Sequence, residues 1–246
     1  METEVLVDVN SERKRKLIGD VLSQAITGEL IGMSNFASLA ETIDDWEEKI
    51  EAVEHADSER MHAEGFIDMA RKYGIEPIVN LKGTYWHSMR QRFLKYAAKR
   101  DFIACLIIQE VMLESFAVAM YRDTGEAIGG DIGALLVQTA EEERGHLEHS
   151  TEILRAELER DGDEFVSKFH KLHLDCMTVL AEWSANSDIQ GHCGICNGTC
   201  MKEDLDEIGL NIGDLRANAL KVYAEALDNI GLPTEKTTLW IMRLPI

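Results

Sequence analysis

The chain has 246 residues, 45% of them hydrophobic, and a formal charge of -20. That length allows one large domain or two small ones, with enough apolar material for a sizeable core. So acidic a chain repels phosphate backbones and anionic lipid, which argues against nucleic acid or membrane as a partner.

Only 3 Pro interrupt a sequence dominated by Ala, Leu, Glu, Met, Lys and Arg, so helix is expected throughout. Residues 1 to about 10 read as a frayed start. From Glu12, apolar residues recur at three- and four-residue steps (Leu17, Val21, Leu22, Ile26, Leu30, Met33, Phe36, Leu39), and Glu29 lies on that apolar stripe. Thr42-Ile-Asp-Asp offers a cap or a short break. A second helix is predicted from about Asp44 to Tyr73, with Glu59 and His62 on one side, and Gly74 and Pro77 end it. Residues 75 to 87 read as a connection, followed by a short basic helix over Ser88 to Arg100.

The most apolar segment is FIACLIIQEVMLESFAVAMY, Phe102 to Tyr121, predicted as a central helix reaching about Arg122. Asp123-Thr-Gly and Gly129-Gly130 mark a break. A fourth long helix is expected from Asp131 to Arg160, then another from Glu164 to Trp183. Residues 184 to 200 form a polar, Gly-rich loop. A last helix, about Lys202 to Asn229 with a break near Gly209 to Gly213, leads to an apolar tail, LWIMRLPI. No internal boundary is visible, so residues 1–246 are read as one domain. The opening METEVLVDVN has no apolar leader core, and the run Phe102 to Ile108 is too short to span a bilayer. A cytoplasmic chain is therefore expected, and its 5 Cys are read as thiols or metal ligands rather than a disulfide framework. Cys105 and Cys176 read as buried apolar residues.

The central helix poses a problem that the rest of the chain answers. Glu114 is a carboxylate in an apolar helix, and burying such a charge is costly unless something neutralises it. Glu59-Arg-Met-His62 and Glu143-Arg-Gly-His146 both read Glu-x-x-His, which places a carboxylate and an imidazole one helical turn apart on one face. Each is preceded by a lone Glu on an apolar stripe: Glu29 lies 30 residues before Glu59, and Glu114 lies 29 before Glu143. That separation suits two antiparallel helices joined by a short turn. Two such hairpins give four helices carrying Glu, Glu-x-x-His, Glu, Glu-x-x-His, the ligand pattern of a di-metal carboxylate centre in a four-helix bundle. Glu141 and Glu142 compete with Glu143 for the role, but only Glu143 has the three-residue spacing to His146. Four carboxylates are balanced by two divalent ions, and oxygen plus imidazole donors suit iron or manganese. Glu110, one turn before Glu114, is a spare ligand or a supporting acid. His149, one turn beyond His146, is a supporting or surface residue.

A second feature stands apart. His192-Cys193-Gly-Ile-Cys196-Asn-Gly-Thr-Cys200 has spacing that suits zinc, a redox disulfide or a small iron–sulfur centre, or is a loop with reduced thiols.

Three stretches carry a family resemblance: CLIIQEVMLESFAVAMY (105 to 121), EEERGHLEHSTEIL (141 to 154) and KEDLDEIGLNIGDLRANALKVYAEALDNIG (202 to 231). With the ligand order Glu29, Glu59, His62, Glu114, Glu143 and His146, the chain resembles the aldehyde-deformylating oxygenases, or aldehyde decarbonylases, of the ferritin-like superfamily. The resemblance implies an all-α ferritin-like four-helix bundle with additional helices and two Fe ions held by those six residues. It implies O2 as co-substrate, electrons from a ferredoxin and its reductase, and a long-chain aldehyde cleaved to alkane and formate. Tyr121 and Glu110 are then candidates to assist catalysis from behind the ligands, and Phe36, Phe66 and Phe116 are channel or core residues. Two other outcomes on this scaffold stay open: N-oxygenation of an amine or hydrazine, and a ferroxidase of the rubrerythrin or ferritin type. The Cys loop departs from the family pattern.

Overall fold

The computed structural model describes residues 9, 11–185 and 201–245, and among these there are helices and connections but no strand. Helix α1 spans Glu12–Ala40, and the Ser11 side chain accepts a hydrogen bond from the Lys14 N–H at its start. Helix α2 spans Trp46–Lys72, with the Asp45 carboxylate accepting from the Glu47 and Glu48 N–H groups. Short polar side chains at both positions satisfy N–H groups that a helix start leaves open. Helix α3, Thr84–Ala97, begins four residues before Ser88. Its first turn is held by tertiary contacts: Trp86 donates to Gln24 at 2.9 Å, and the Tyr85 and Trp86 rings pack on Trp183.

The central helix α4 runs from Phe102 to Ile128 and contains a π-helical segment over Ile107–Leu113. The helix does not break at Asp123-Thr-Gly. Gly125 instead lets α4 approach the next helix closely: a Cβ there would come within 2.7 Å of the Gly133 carbonyl oxygen. Gly129 and Gly130, at φ 67° and 60°, make the actual turn. At this length α4 is apolar enough to cross a membrane, but 78% of its most apolar window is buried inside the bundle. It is the core helix of a helical stack, and the short run considered from sequence understated its extent.

Helix α5, Gly130–Asp161, follows. Helix α6 covers 163–185 with a π segment at His173–Met177. Helix α7 covers 201–208, ending in a 3-10 turn. Helix α8 is Ile212–Ile230. A further helix, α9, Thr234–Ile241, takes in only the start of the apolar tail, and its Trp240 docks on Phe169, His170 and His173. Arg13 and Lys16 pair with Asp204, and Arg13 also with Asp206 and Glu207, which ties α7 to α1.

Helix α1 packs chiefly on α2, and α4 on α5. The buried apolar side chains divide into two clusters. One contains Phe36, Leu39 and Ala52 with most of α4, Leu147, Leu154 and parts of α6, α8 and α9. The other contains Leu17 to Ile26, Phe66, Ala70, Ile128, Ile132 and Leu136. Along α1, α2 and α5 the gap between the clusters is where Glu29, Glu59, His62, Glu143 and His146 fall. The polar centre therefore occupies a defined level of the four-helix core.

Candidate metal centre

Four helices bring six side chains together: Glu29 from α1, Glu59 and His62 from α2, Glu114 from α4, Glu143 and His146 from α5. None is more than 5% exposed. They form two overlapping groups, Glu29–His62–Glu143 and Glu59–Glu114–Glu143–His146, and in each group one donor atom per residue lies within 4.8 Å of the others. Glu143 belongs to both. Its Oε1 is 3.0 Å from His62 Nδ1, and its Oε2 is 2.9 Å from His146 Nδ1. His62 Nδ1 also lies 3.2 Å from Glu29 Oε2, and His146 Nδ1 lies 3.7 Å from Glu59 Oε1.

These residues fit a pair of cations better than they fit one another. Glu59 Oε1, Glu143 Oε2 and His146 Nδ1 are all buried and none makes a well-aligned hydrogen bond, although Glu143 Oε2 and His146 Nδ1 lie within ion-pair reach of one another. A buried polar atom without a good hydrogen bond is costly, and three gathered in one group leave a place that a cation would satisfy. The backbone makes room for this: a Cβ on Gly32 would sit 2.3 Å from Glu59 Oε2, so only glycine lets the Glu59 carboxylate lie against α1.

The electrostatics point the same way. Burial, then the charge of Glu143, holds the Glu59 and Glu114 carboxyls well above the usual carboxylate range and raises Glu29 as well. Burial would also raise Glu143, but the imidazoles of His146 and His62 outweigh it and bring Glu143 down to about 2. Burial would lower His62, yet Glu143 and Glu29 push it up to about 11. Without cations, this centre must retain protons to stay neutral, and a divalent ion releases them.

Further residues hold these six side chains in place. Tyr121 donates a short hydrogen bond to Glu29, and burial with the nearby Glu29 charge pushes its phenol well up, so it stays a donor. Gln109 Nε2 donates to Glu114 Oε1 at 2.6 Å. Asn35 donates to Gln109 at 2.5 Å, and Arg90 donates to Asn35, completing a chain from α3 to Glu114. The Gln109–Glu114 pair is five residues apart, a spacing that meets on one face in the π segment and not in a regular α-helix. The same segment turns Glu110 away from Glu114. Glu110 faces His149 at 3.1 Å and His55 at 3.7 Å and joins neither group of six-residue ligands. Glu142 sits behind His62, 2.6 Å from Nε2, and so orients the ring whose Nδ1 faces Glu29 and Glu143.

A cavity of about 150 Å³ opens beside the carboxylates. Glu29, Glu59, Glu114 and Glu143 line it together with Gln109, Thr124, Lys202 and Arg216, and Ile31, Leu113, Phe116, Met120, Leu180 and Trp183 are among its apolar walls. Tyr121 lines it too. Phe36 and Phe66 are fully buried outside it: Phe36 packs edge-on against His146, and Phe66 packs against Tyr121.

A family model described as long-chain fatty aldehyde decarbonylase matches residues 11–180, well over half of the chain. The chain belongs to the long-chain fatty aldehyde decarbonylase family. Among solved structures it is similar to a Synechococcus protein titled as having aldehyde deformylating oxidase activity, at 20% identity and a TM-score of 0.80, covering 96% of this chain and 100% of that one. At that identity the likeness speaks for the fold, an all-helical ferritin-like bundle.

In this decarbonylase-family chain, the sequence pattern found the six buried Glu and His side chains but not Gln109, Asn35, Arg90 or Gly32. The first three depend on a π segment that no residue pattern marks. The sequence does carry a signal for Gly32: a glycine on the helical stripe three residues after Glu29 marks a close approach. Glu142, a rival of Glu143 by sequence position alone, lies behind His62. Cys105 and Cys176 are free and buried, as expected. His192, Cys193, Cys196 and Cys200 lie outside the described residues.

Proposed function

We propose that the chain is a non-haem di-iron oxygenase that deformylates a fatty aldehyde to an alkane and formate. In this reading Glu29, Glu59, His62, Glu114, Glu143 and His146 would hold the two irons, Glu143 being the residue that belongs to both donor groups. The observation that supports it most is a donor set of four carboxylates and two imidazoles, two of its carboxylate oxygens and one nitrogen without a well-aligned hydrogen bond, forming one wall of an apolar cavity in a member of this family. The chemistry that two such irons supply when bound is the activation of O2 with electrons from an external donor, for which a ferredoxin and its reductase are proposed.

The chain's own residues do the rest. The apolar walls take up the alkyl chain, leaving the aldehyde carbon at the carboxylate wall, and exclude water from it. Tyr121 fixes Glu29, and Gln109 fixes Glu114, so that neither carboxylate swings into the space the aldehyde needs. Glu142 holds the outward nitrogen of His62.

The test is incubation of the anaerobically iron-loaded protein with O2, a ferredoxin–reductase system and straight-chain aldehydes. Formate and the alkane one carbon shorter are expected in equal amounts. Loaded iron without either product overturns the aldehyde assignment.

A further inference from the structure

Beside the six ligands, three helices assemble a second constellation. His55 comes from α2, Glu110 from the π segment of α4, and His149 from α5. One donor atom from each lies within 4.8 Å of the other two. The Glu110 carboxylate is shared: Oε1 is 3.7 Å from His55 Nδ1, and Oε2 is 3.1 Å from His149 Nδ1. His55 is 8% exposed and Glu110 is 1% exposed. His55 Nδ1 is buried and makes no hydrogen bond, although it points at Glu110. A His149–Glu110 ion pair alone would leave that nitrogen orphaned.

The outward nitrogens complete the picture. His55 Nε2 lies 3.4 Å from Glu51 Oε1, and His149 Nε2 lies 3.4 Å from Glu48 Oε2. Each imidazole is thus set between an outer carboxylate and the shared inner one. An outer carboxylate near one ring nitrogen favours the proton there and leaves the lone pair of the other nitrogen inward, the arrangement found at metal-binding histidines, and here both outer carboxylates stand at ion-pair distance. Phe36 packs edge-on against the His55 ring, 5.1 Å between centroids, and keeps it in place. The outer side is open, since His149 is 24% and Glu51 44% exposed at the side chain. The His55 ring lies 4.1 Å from that of His146, so the constellation adjoins the six-ligand centre.

We propose that His55, Glu110 and His149 form a third, mononuclear site for a divalent transition-metal ion of the zinc or ferrous class. Two imidazoles and one carboxylate match the donor preference of such ions and leave positions for water. Glu48 and Glu51 present a carboxylate face through which the ion reaches it from solvent.

The experiment is equilibrium dialysis of the full chain against Co2+, with excess Mg2+ to occupy exposed carboxylates. Bound cobalt is counted per chain, and its visible absorption is recorded. Wild type, taken with Cys193, Cys196 and Cys200 changed to Ser in every sample so that the Cys loop takes up no cobalt, is expected to hold three Co2+. His149→Ala, at a partly exposed position, and Glu110→Gln, which keeps the side-chain shape, are expected to hold two, with melting temperature confirming the fold of each. The absorption of the missing ion is expected to disappear in both. Two Co2+ in wild type and in His149→Ala, with loss of both in a Glu143 variant, overturns the third site and leaves the six-ligand centre standing. Three Co2+ retained in His149→Ala overturns it too. No Co2+ in wild type overturns both.

Discussion

The two hairpins carry the same ligand order, yet they are used differently. Glu29, Glu59 and His62 come from α1 and α2; Glu114, Glu143 and His146 come from α4 and α5. An equal division would give each hairpin its own ion. Instead Glu59 of the first hairpin groups with Glu114 and His146 of the second, while Glu143 of the second also groups with Glu29 and His62 of the first. The supports differ as well. Glu29 is fixed from the opposite hairpin by Tyr121, whereas Glu114 is fixed from its own helix by Gln109 across a π segment. Ligand exchange between hairpins means that neither group exists until the hairpins dock, so the centre reports on tertiary assembly.

The comparison is most easily broken at Glu143. Glu143→Ala is expected to remove both irons, taking the anaerobic content from about two per chain to near zero, while Glu29→Ala or Glu59→Ala retains at least one. Equal losses in all three variants would show that the hairpins contribute symmetrically. Next in size is Gly32→Ala. Its Cβ would displace the Glu59 carboxylate, so loss of one iron is expected, together with a destabilisation of about 1–3 kcal/mol by overpacking. Denaturant titration and iron analysis measure the two effects separately.

Smaller effects separate the supports. Tyr121→Phe and Gln109→Leu are each expected to weaken metal binding by about 10–100-fold, as loss of an outer partner does. Tyr121→Phe should affect the ion beside His62, and Gln109→Leu the ion beside His146. Competition with a chelator reads both, and identical binding curves for the two variants would contradict the assignment of supports.

The smallest effect is on pH dependence. Glu29, Glu59 and Glu114 bind protons more tightly in the folded chain than in the unfolded one, and His62 does so up to about 11. Above the ordinary carboxylate range the native state therefore holds more protons, and its stability falls as pH rises. Glu143, lowered to about 2, acts in the opposite sense, but only below the ordinary carboxylate range. The metal-free protein is expected to melt several degrees lower at about pH 9 than at about pH 5, and bound metal, which replaces the protons, to flatten or reverse that slope. A flat profile without metal would mean that the carboxylates are ionised in the fold.

The amino-acid sequence by itself determined the helices, their rough limits and the six ligand candidates. Helical periodicity and three-residue spacing are local properties, and a carboxylate on an apolar stripe, such as Glu114, demands a counter-charge wherever the helix packs. Only the tertiary structure decided which of these Glu and His side chains group together, because that depends on how the hairpins cross. It also decided that Gly125 marks a close contact and not a break, that α3 starts at Thr84 on the strength of Trp86 packing, and that Glu110 turns to His55 and His149. The π segment lies behind the last of these: one extra residue in a turn rotates every side chain after it, and what stabilises that residue is the packing of the neighbouring helices.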